Sequence, residues 1–452
     1  MEDQTINSEL GRADAKDFGE ADALALRKQF AYFRQQDERA AAGKDFSIYL
    51  DSAATSQRPD PVLDAEREFI TLQNAAVHRG TSNAVGEATN RFENARQLVA
   101  QFLGAPEPEY TVVWAAGATD ALNTIATGIS EATAALSVPA LGVPGSERLA
   151  IHPGDEIVTT EAEHHANLIP WQRLAARCGA KLLVVPVDET GTWSVAAIRE
   201  VLNSRTRIVA FTDVSNVTGW RSPAAAVVQS VKQLAPNAVT VLDTCQSVPH
   251  VPVNIAATGV DFAVFSGHKM FAPNGIGALV GRTELLAALP PARTGGSAIT
   301  RVSTDSAEFM PPPLRFEPGT QPVSQVVGLG AAIDFISGLD ITRLAAYEHS
   351  LVEYLVSEIN RLNGVTLLGP ADPADRVALA AVNVAGVHAH DVGQVLDSAG
   401  VITRVGHHCA QPLHRALGIT ASVRASVHAT NTVAEIDAFI AGLKDAKKYF
   451  QV

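Results

Sequence analysis

Cysteine, basic charge and long apolar runs are all scarce in this sequence. Three cysteines in 452 residues cannot form a disulfide framework, and they fit reduced thiols in a cytoplasm better. Lysine and arginine number 35 against 48 acidic residues, and the resulting net charge of −13 argues against nucleic acid as a main partner. The apolar stretches are interrupted well before membrane-spanning length, and residues 1–4 lack the features of a secretion signal. The sequence therefore predicts a cytoplasmic protein with no transmembrane helix.

Apolar residues are abundant, and their order along the chain predicts an α/β fold. A hydrophobic share of 46% and a charged share of 18% indicate a globular protein with ample material for a core. Between about residues 47 and 280, short apolar strands alternate with helical stretches, which is the order of a parallel sheet covered by helices. The strand candidates are Thr111–Trp114, Glu156–Thr159, Lys181–Pro186, Ile208–Asp213, Thr240–Asp243, Phe262–Ser266 and Gly277–Gly281. We therefore predict a mostly parallel seven-stranded sheet.

The chain is long enough for two or three domains. An amphipathic pattern from Leu24 to Phe33 predicts a helix near the start. Residues 131–147 have few large apolar groups and are predicted to be an inserted surface loop. We expect four segments, namely an N-terminal arm at 1–23, the first part of a small domain at 24–46, a large domain at 47–337 and the rest of an α+β small domain at 338–452.

A lysine follows the sixth strand candidate, in the run Ser266-Gly267-His268-Lys269. Ligands of open α/β sheets bind outside the carboxyl ends of the strands, so Lys269 is placed to face a site. A lysine in that position can form a Schiff base with an aldehyde cofactor. A solvated loop lysine is the alternative, because most lysines are exposed.

A carboxylate ends the preceding strand candidate, at Asp243. An anion there can keep the ring nitrogen of a pyridine-based cofactor protonated, so that the ring acts as an electron sink. Gln246, three residues further on, can hydrogen-bond a ring hydroxyl. The alternative for Asp243 is a helix N-cap.

Two further strand ends carry polar groups that suit a planar, anionic cofactor. Gly117 and Thr119 open a helix, where backbone N–H groups and a hydroxyl can bind an anion. His164 and His165 follow the next strand, where an imidazole can stack on a ring or move protons. Metal ligation is the alternative for the histidine pair, although consecutive residues rarely face one ion. We predict no metal site.

A cysteine and an arginine near the C-terminus complete the candidate residues. Cys409 lies beside His407 and His408 on a loop that predicts an exposed thiol, and a neighbouring histidinium would stabilise its thiolate. The alternatives are a structural cysteine or a Cys/His metal site. Arg424 lies in a strand-like segment, where its planar fork suits an α-carboxylate, and a structural ion pair is its alternative. Cys178 and Cys245 are predicted to be packing residues.

Several motifs together resemble the class V, fold type I pyridoxal-phosphate enzymes, and among these the group II cysteine desulfurases and selenocysteine lyases. The resemblance extends from about residue 30 to the C-terminus. It rests on Leu50-Asp51-Ser52-Ala53-Ala54, Val77-His78-Arg79-Gly80, Glu163-His164-His165-Ala166-Asn167, Val214-Ser215-Asn216-Val217, Ser266-Gly267-His268-Lys269, Arg315-Phe316-Glu317-Pro318-Gly319-Thr320 and Gly406-His407-His408-Cys409-Ala410-Gln411-Pro412.

The resemblance implies a role for each matching residue. Lys269, Cys409 and His164 would be catalytic: Lys269 would bind the cofactor and move a proton, His164 would stack on the ring and act as acid or base, and Cys409 would attack the substrate sulfur. The other cofactor-binding residues would be Thr119, Asp243, Gln246, Ser266, His268 and, reaching in from a second subunit, Thr320. The substrate-binding residues would be Asn216, Arg424 and His78.

The implied activity is a pyridoxal 5′-phosphate-dependent conversion of L-cysteine to L-alanine, with a persulfide formed on Cys409. The sulfur would pass to an acceptor protein, for iron–sulfur cluster assembly or other sulfur metabolism, and the enzyme would be a homodimer. Selenocysteine lyase, another C–S lyase or epimerase on the same scaffold, and a silent scaffold remain as alternatives. Departures from the family pattern, such as Thr244-Cys245 before Gln246 and Thr430 before Asn431, bear on which substrate and acceptor are used.

Overall fold

A computed structural model describes residues 18–452. Within that range the helices, numbered α1 to α15 in chain order, are Glu20–Arg27, Ala31–Ala41, Asp60–Glu68, Asn83–Phe102, Ala118–Ala134, Ile169–Cys178, Val195–Val201, Ala224–Leu234, Ile255–Thr258, Thr283–Ala288, Val323–Leu339, Ile341–Asn360, Ala389–Ser398, Gln411–Ala416 and Val433–Phe450. The strands, numbered β1 to β15, are Ile48–Tyr49, Tyr110–Ala115, Glu156–Thr160, Lys181–Val185, Thr206–Thr212, Val239–Asp243, Phe262–Ser266, Gly277–Arg282, Ile299–Val302, Ala307–Phe309, Val365–Leu368, Leu379–Val384, Val401–Ile402, Arg404–Gly406 and Ser422–Ser426.

The seven predicted strands form one sheet, in the order β2-β8-β7-β6-β5-β3-β4. Strands β3 to β7 run parallel, and β8 runs antiparallel to both β2 and β7. Strands β6 and β7 are buried along their whole length, as their continuous apolar sequences require in a sheet covered on both faces. The mostly parallel seven-stranded sheet is therefore confirmed.

The strand order reverses beside β3, which lies between β5 and β4. The chain leaves β3 in one direction to form β4 and then returns past it to form β5, β6 and β7. The helices on either side of such a reversal leave a crevice at the carboxyl ends of the strands, where ligands of doubly wound sheets bind. The polar residues that end β6 and β7 lie at this edge.

A second, four-stranded antiparallel sheet has the order β11-β12-β15-β14. Helices α12, α13 and α15 share one buried apolar cluster with it. Strands β14 and β15 bring functional candidates to the crevice, because Arg424 lies in β15 and the loop containing Cys409 follows β14.

Three expectations about local structure need correction or fall outside the structure. The amphipathic stretch Leu24 to Phe33 is two helices, because the chain breaks between α1 and α2, although Phe30 is buried against the rings of Phe271 and Phe335. The expected loop at 131–147 begins inside α5, which continues to Ala134, and then forms two short 3₁₀ turns. Of the N-terminal arm, residues 1–17 lie outside the described range.

Among the described residues, no single helix has the length and apolar character to cross a membrane. The consecutive helices α11 and α12 meet that test only as a pair, and they are bent by 77° relative to each other.

Candidate active site

A cavity of about 280 Å³ lies at the carboxyl edge of the large sheet and is closed on one side by the small sheet. Its lining contains ten of the predicted site residues: Thr119, His164, Asn216, Asp243, Gln246, Ser266, His268, Lys269, Cys409 and Arg424. The structure thus brings together residues that the sequence separates by up to 305 positions.

The lysine side of the cavity is built where β7 ends. Lys269 closes a short 3₁₀ turn directly after Ser266. The Ser266 hydroxyl oxygen accepts a hydrogen bond of 2.9 Å from the backbone N–H of Ala118, which joins this turn to the start of α5. Gly117 has φ +141°, and a Cβ there would lie 3.1 Å from the Ser266 hydroxyl. Glycine is therefore required for this close approach.

The carboxylate that ends β6, Asp243, and the amide three residues later, Gln246, are both buried. Asp243 accepts a 3.0 Å hydrogen bond from the backbone N–H of Cys245 through one carboxylate oxygen. Gln246 donates to the carbonyl of Ala53, while its own side-chain oxygen is buried without a partner. Cys245 is buried as expected, and burial raises the pKa of its thiol, so it is not a candidate nucleophile.

His164 is held as a neutral imidazole with a defined tautomer. Burial lowers its pKa to about 4; Asp243 opposes that shift and Lys269 reinforces it. Its Nδ1 accepts a 3.1 Å hydrogen bond from the backbone N–H of Ala166. In the neutral ring the proton must therefore lie on Nε2.

Glu163 lies next to His164 in the motif Glu163-His164-His165-Ala166-Asn167, and the sequence alone indicated no role for it. It is fully buried, and burial raises its pKa to about 8 despite hydrogen bonds from Thr160 and Asn167, both 2.6 Å. Arg404 was also missed: it lines the cavity and pairs with Asp51 at 2.9 Å. Its position just before the motif Gly406–Pro412 is the sequence signal that could have identified it as a cavity residue.

Arg424 is fixed from two directions. One guanidinium nitrogen donates to the carbonyl of Asn216 at 2.8 Å, and another lies 3.5 Å from Asp51. Burial lowers the pKa of Arg424 to about 10, so the group is still charged at neutral pH. Its Nε is buried without a partner, which leaves a donor for an anion such as a carboxylate.

Cys409 is exposed, as predicted, and its loop has an unusual backbone. His408 and Cys409 have φ values of +50° and +57°, which non-glycine residues seldom adopt. Two hydrogen bonds of 2.6 Å hold these residues: the backbone N–H of His165 donates to the Cys409 carbonyl, and the Asn216 amide donates to the His408 carbonyl. The expectation that a neighbouring histidinium assists the thiolate is wrong for His408, because burial lowers its pKa to about 2.

Two predicted site residues lie outside the cavity of this chain. His78 has φ +67° and hydrogen-bonds Glu93 through Nε2 at 2.8 Å. Thr320 is exposed in the segment before α11. Both remain predictions, that of Thr320 as a residue reaching in from a second subunit and that of His78 as a substrate-binding residue.

Neither His164-His165 nor His407-His408 belongs to a group of three or more potential metal ligands among the described residues. Across residues 18–452, the side chains close enough to share an ion are His250, Glu348 and His428. Hydrogen bonds explain that cluster, because Glu348 lies 2.7 Å from His250 Nδ1 and 2.9 Å from His428 Nδ1.

Comparison with known proteins agrees with this geometry. The family model described as aminotransferase class-V matches residues 48–439. The chain belongs to this family. A probable cysteine desulfurase of Mycobacterium leprae is 45% identical over 429 residues, which cover 95% of this chain and 97% of the relative. A cysteine desulfurase of Klebsiella pneumoniae is 41% identical, with 88% and 93% covered.

Two solved structures share this fold over nearly the whole chain. A cysteine desulfurase from Escherichia coli has a TM-score of 0.82 at 32% identity, and the match covers 96% of this chain and 100% of that one. The apo cysteine desulfurase from Thermococcus onnurineus has a TM-score of 0.83 at 32% identity, with 94% and 98% covered. The chain is thus a fold type I class-V protein of the cysteine desulfurase group, whose cofactor is pyridoxal 5′-phosphate.

The residues that line the cavity suit this cofactor, independently of the similarity to known proteins. It offers a lysine for the aldehyde, a buried carboxylate in Asp243 for the ring nitrogen, and an unpartnered amide oxygen in Gln246 for a ring substituent. The start of α5, with Thr119 beside Ser266 and His268, provides hydroxyl groups and a helix N-terminus for a phosphate.

Proposed function

We propose that this protein converts L-cysteine to L-alanine and leaves the sulfur as a persulfide on Cys409. The observation that supports this most directly is that a lysine, a buried arginine with an unpartnered Nε and an exposed cysteine share one cavity. Homology to cysteine desulfurases over nearly the whole chain supports the same conclusion.

The large-domain residues would hold the cofactor and manage protons. Lys269 would bind the cofactor covalently, Asp243 would pair with its ring nitrogen, and Thr119, Ser266 and His268 would bind its phosphate. When bound, pyridoxal 5′-phosphate supplies an electron sink that stabilises negative charge at the substrate Cα. The Lys269 amine would then move a proton at that carbon, and the Nε2–H of His164 would be a donor beside it.

The small-domain residues would hold the amino acid and take its sulfur. Arg424, whose Nε is free, and Asn216 would orient the α-carboxylate. The Cys409 thiolate would attack the substrate sulfur, so that an S–S bond forms as the Cβ–S bond breaks. Because Cys409 is exposed, the persulfide sulfur would remain accessible to an acceptor protein, which supports a place in iron–sulfur cluster assembly or other sulfur trafficking.

We further propose a homodimer. Thr320 and His78 are predicted site residues that lie outside this chain's own cavity, so a second copy would have to supply them. Exposed apolar side chains at Leu63, Ile70 and Leu72, which are 40%, 53% and 78% exposed, offer a surface that a second copy could cover. A fully active monomer at assay concentration would contradict the proposal.

The proposed domains keep residues 47–337 as the large domain and 338–452 as the small domain. The segment 24–46 contacts both: Phe30 packs against the large-domain core, whereas Arg27 bonds Glu435 of α15 at 2.8 Å. We also propose a cytoplasmic location, which the three free cysteines support.

The decisive experiment is incubation of the purified, cofactor-loaded protein with L-cysteine. Stoichiometric alanine and a persulfide mapped to Cys409 are expected. Alanine from L-selenocysteine alone would instead favour the lyase, and pyruvate or a racemised amino acid would favour another C–S lyase or an epimerase.

A further inference from the structure

The two residues that flank Cys409 are joined by a buried chain of hydrogen bonds. His408 Nε2 lies 2.9 Å from the Ser422 hydroxyl, and the same hydroxyl lies 2.9 Å from His414 Nε2. His414 Nδ1 lies 3.0 Å from the carbonyl of Ala410. The side chains of His408, Ser422 and His414 are each at least nine-tenths buried, so water does not compete for these hydrogen bonds.

The direction of every hydrogen bond in this chain follows from one fixed end. The Ala410 carbonyl can only accept, so the proton of His414 is on Nδ1. Burial lowers the pKa of His414, so the ring is neutral and its Nε2 accepts the Ser422 proton. The Ser422 oxygen, having given its only proton to His414, must accept from His408 Nε2–H.

His408 is therefore left with a bare Nδ1. Burial keeps this ring neutral as well, and Nδ1 is buried with no hydrogen-bond partner. His408 lines the cavity next to Cys409. A buried acceptor without a donor is costly, so a donor is expected in the working enzyme. Arg424, the nearby cation on β15, uses its two terminal nitrogens for the Asn216 carbonyl and Asp51, and the proposed function assigns its unpartnered Nε to the substrate carboxylate.

We propose that Ser422 and His414 are positioning residues that hold His408 in its Nε2–H tautomer, so that its Nδ1 accepts a hydrogen bond from a thiol in the cavity. The inference rests on the proposed function, which puts two thiols there: that of Cys409 and that of the substrate cysteine. A thiol is a weak donor that needs a directed acceptor to be oriented. His408 orients the sulfur and does not take its proton, because its imidazole is too weak a base.

The tautomer can be observed directly, without any assay of activity. In holoenzyme labelled with [¹⁵N]histidine, the His408 resonances are assigned by their loss in His408→Gln. We expect a protonated Nε2 and a bare Nδ1 in the wild type, and loss of that preference in Ser422→Ala and His414→Leu. His414→Gln is the matched control, because its amide can still donate to Ala410 and accept from Ser422.

The kinetic effect separates positioning from folding. Ser422→Ala and His414→Leu should lower kcat for L-cysteine about tenfold, the effect of one hydrogen bond, with KM nearly unchanged because Arg424 is intact. His414→Gln should restore kcat. A rise in KM with kcat unchanged, or equal losses in His414→Leu and His414→Gln, would contradict the proposal.

The chemical shift of His408 Nδ1 in Cys409→Ala shows whether the thiol is that of Cys409 or that of the substrate. A change on making this substitution, before substrate is added, identifies the Cys409 thiol. A change only when L-cysteine is added, and not with S-methyl-L-cysteine, identifies the substrate thiol. No change in either arm, or a protonated Nδ1 in the wild type, overturns the inference. If the wild type forms no alanine, the proposed function fails, whereas the tautomer assignment is still tested.

Discussion

The two sides of the cavity are built differently. On the large-sheet side, Asp243 and Lys269 follow fully buried, regular strands, and the Ser266 hydroxyl fixes the turn to α5. On the other side, Cys409 lies on a loop with two consecutive positive φ values. A group that stays at one place can be held by strands, whereas a sulfur that must reach a substrate and then an acceptor needs a loop. The difference suits the proposed division, with cofactor binding on one side and sulfur transfer on the other.

Removing the lysine should abolish the chemistry of the fixed side. Lys269→Ala is expected to lower alanine formation from L-cysteine by at least ~10²- to 10⁴-fold, because the covalent anchor and a proton carrier are both lost. Alanine is measured by chromatography, and borohydride treatment of the wild type should attach the cofactor to Lys269. Lys181→Ala, at an exposed edge-strand position, is the control. Label on another lysine would refute the assignment.

Removing the cysteine should damage only the loop side of the cavity. Cys409→Ala is expected to keep the cofactor and its yellow colour, since Lys269 and Asp243 are untouched, and to lose persulfide formation. Mass spectrometry after incubation with L-cysteine measures the persulfide. Cys178→Ala, away from the cavity, should retain it. Desulfuration of L-cysteine by Cys409→Ala at the wild-type rate would remove the nucleophile from the proposal and favour a lyase.

Removing one contact of the Cys409 loop tests how firmly this loop is held. The Nε2 of His165 accepts a 3.1 Å hydrogen bond from the backbone N–H of Gln411. His165→Ala removes this contact, and the alkylation of Cys409 by iodoacetamide should become up to about tenfold faster. His152→Ala, at an exposed position, is the control. An unchanged alkylation rate would mean that the backbone bond from His165 and the amide bond from Asn216 hold the loop without the His165 side chain.

The side built on strands was largely predictable, and the side built on long-range contacts was not. Asp243 and Lys269 could be found because a run of apolar residues marks each strand and its end marks the edge of the sheet. The pairing of Arg404 with Asp51 joins residues 353 positions apart, and no local pattern encodes it. Likewise, the motif containing His408 predicted a charged neighbour for Cys409, whereas burial lowers the pKa of this imidazole and keeps it neutral. Burial depends on packing, which a motif does not show.

The smallest expected effect is a pH dependence of stability that both sides share. Burial lowers the pKa of His164 to about 4 and that of His408 to about 2, below the value near 6.5 of an unfolded chain. As the pH falls through 6.5, these histidines therefore bind protons in the unfolded state but not in the folded state. The stability contributed by these neutral rings is complete well above pH 6.5 and is lost progressively as the pH falls toward 4.

Between pH 7.5 and 6.5, each of these two histidines should lower the free energy of unfolding by about 0.35 kcal/mol, or about threefold in the unfolding equilibrium for both. Urea denaturation of the holoenzyme at the two pH values measures the change. His164→Gln and His408→Gln should each remove one histidine's share of the pH dependence, whatever they do to stability at a single pH. If either variant keeps the full dependence, that ring binds its proton in the folded protein as readily as in the unfolded chain. For His408, such a result would also contradict the bare Nδ1 beside Cys409.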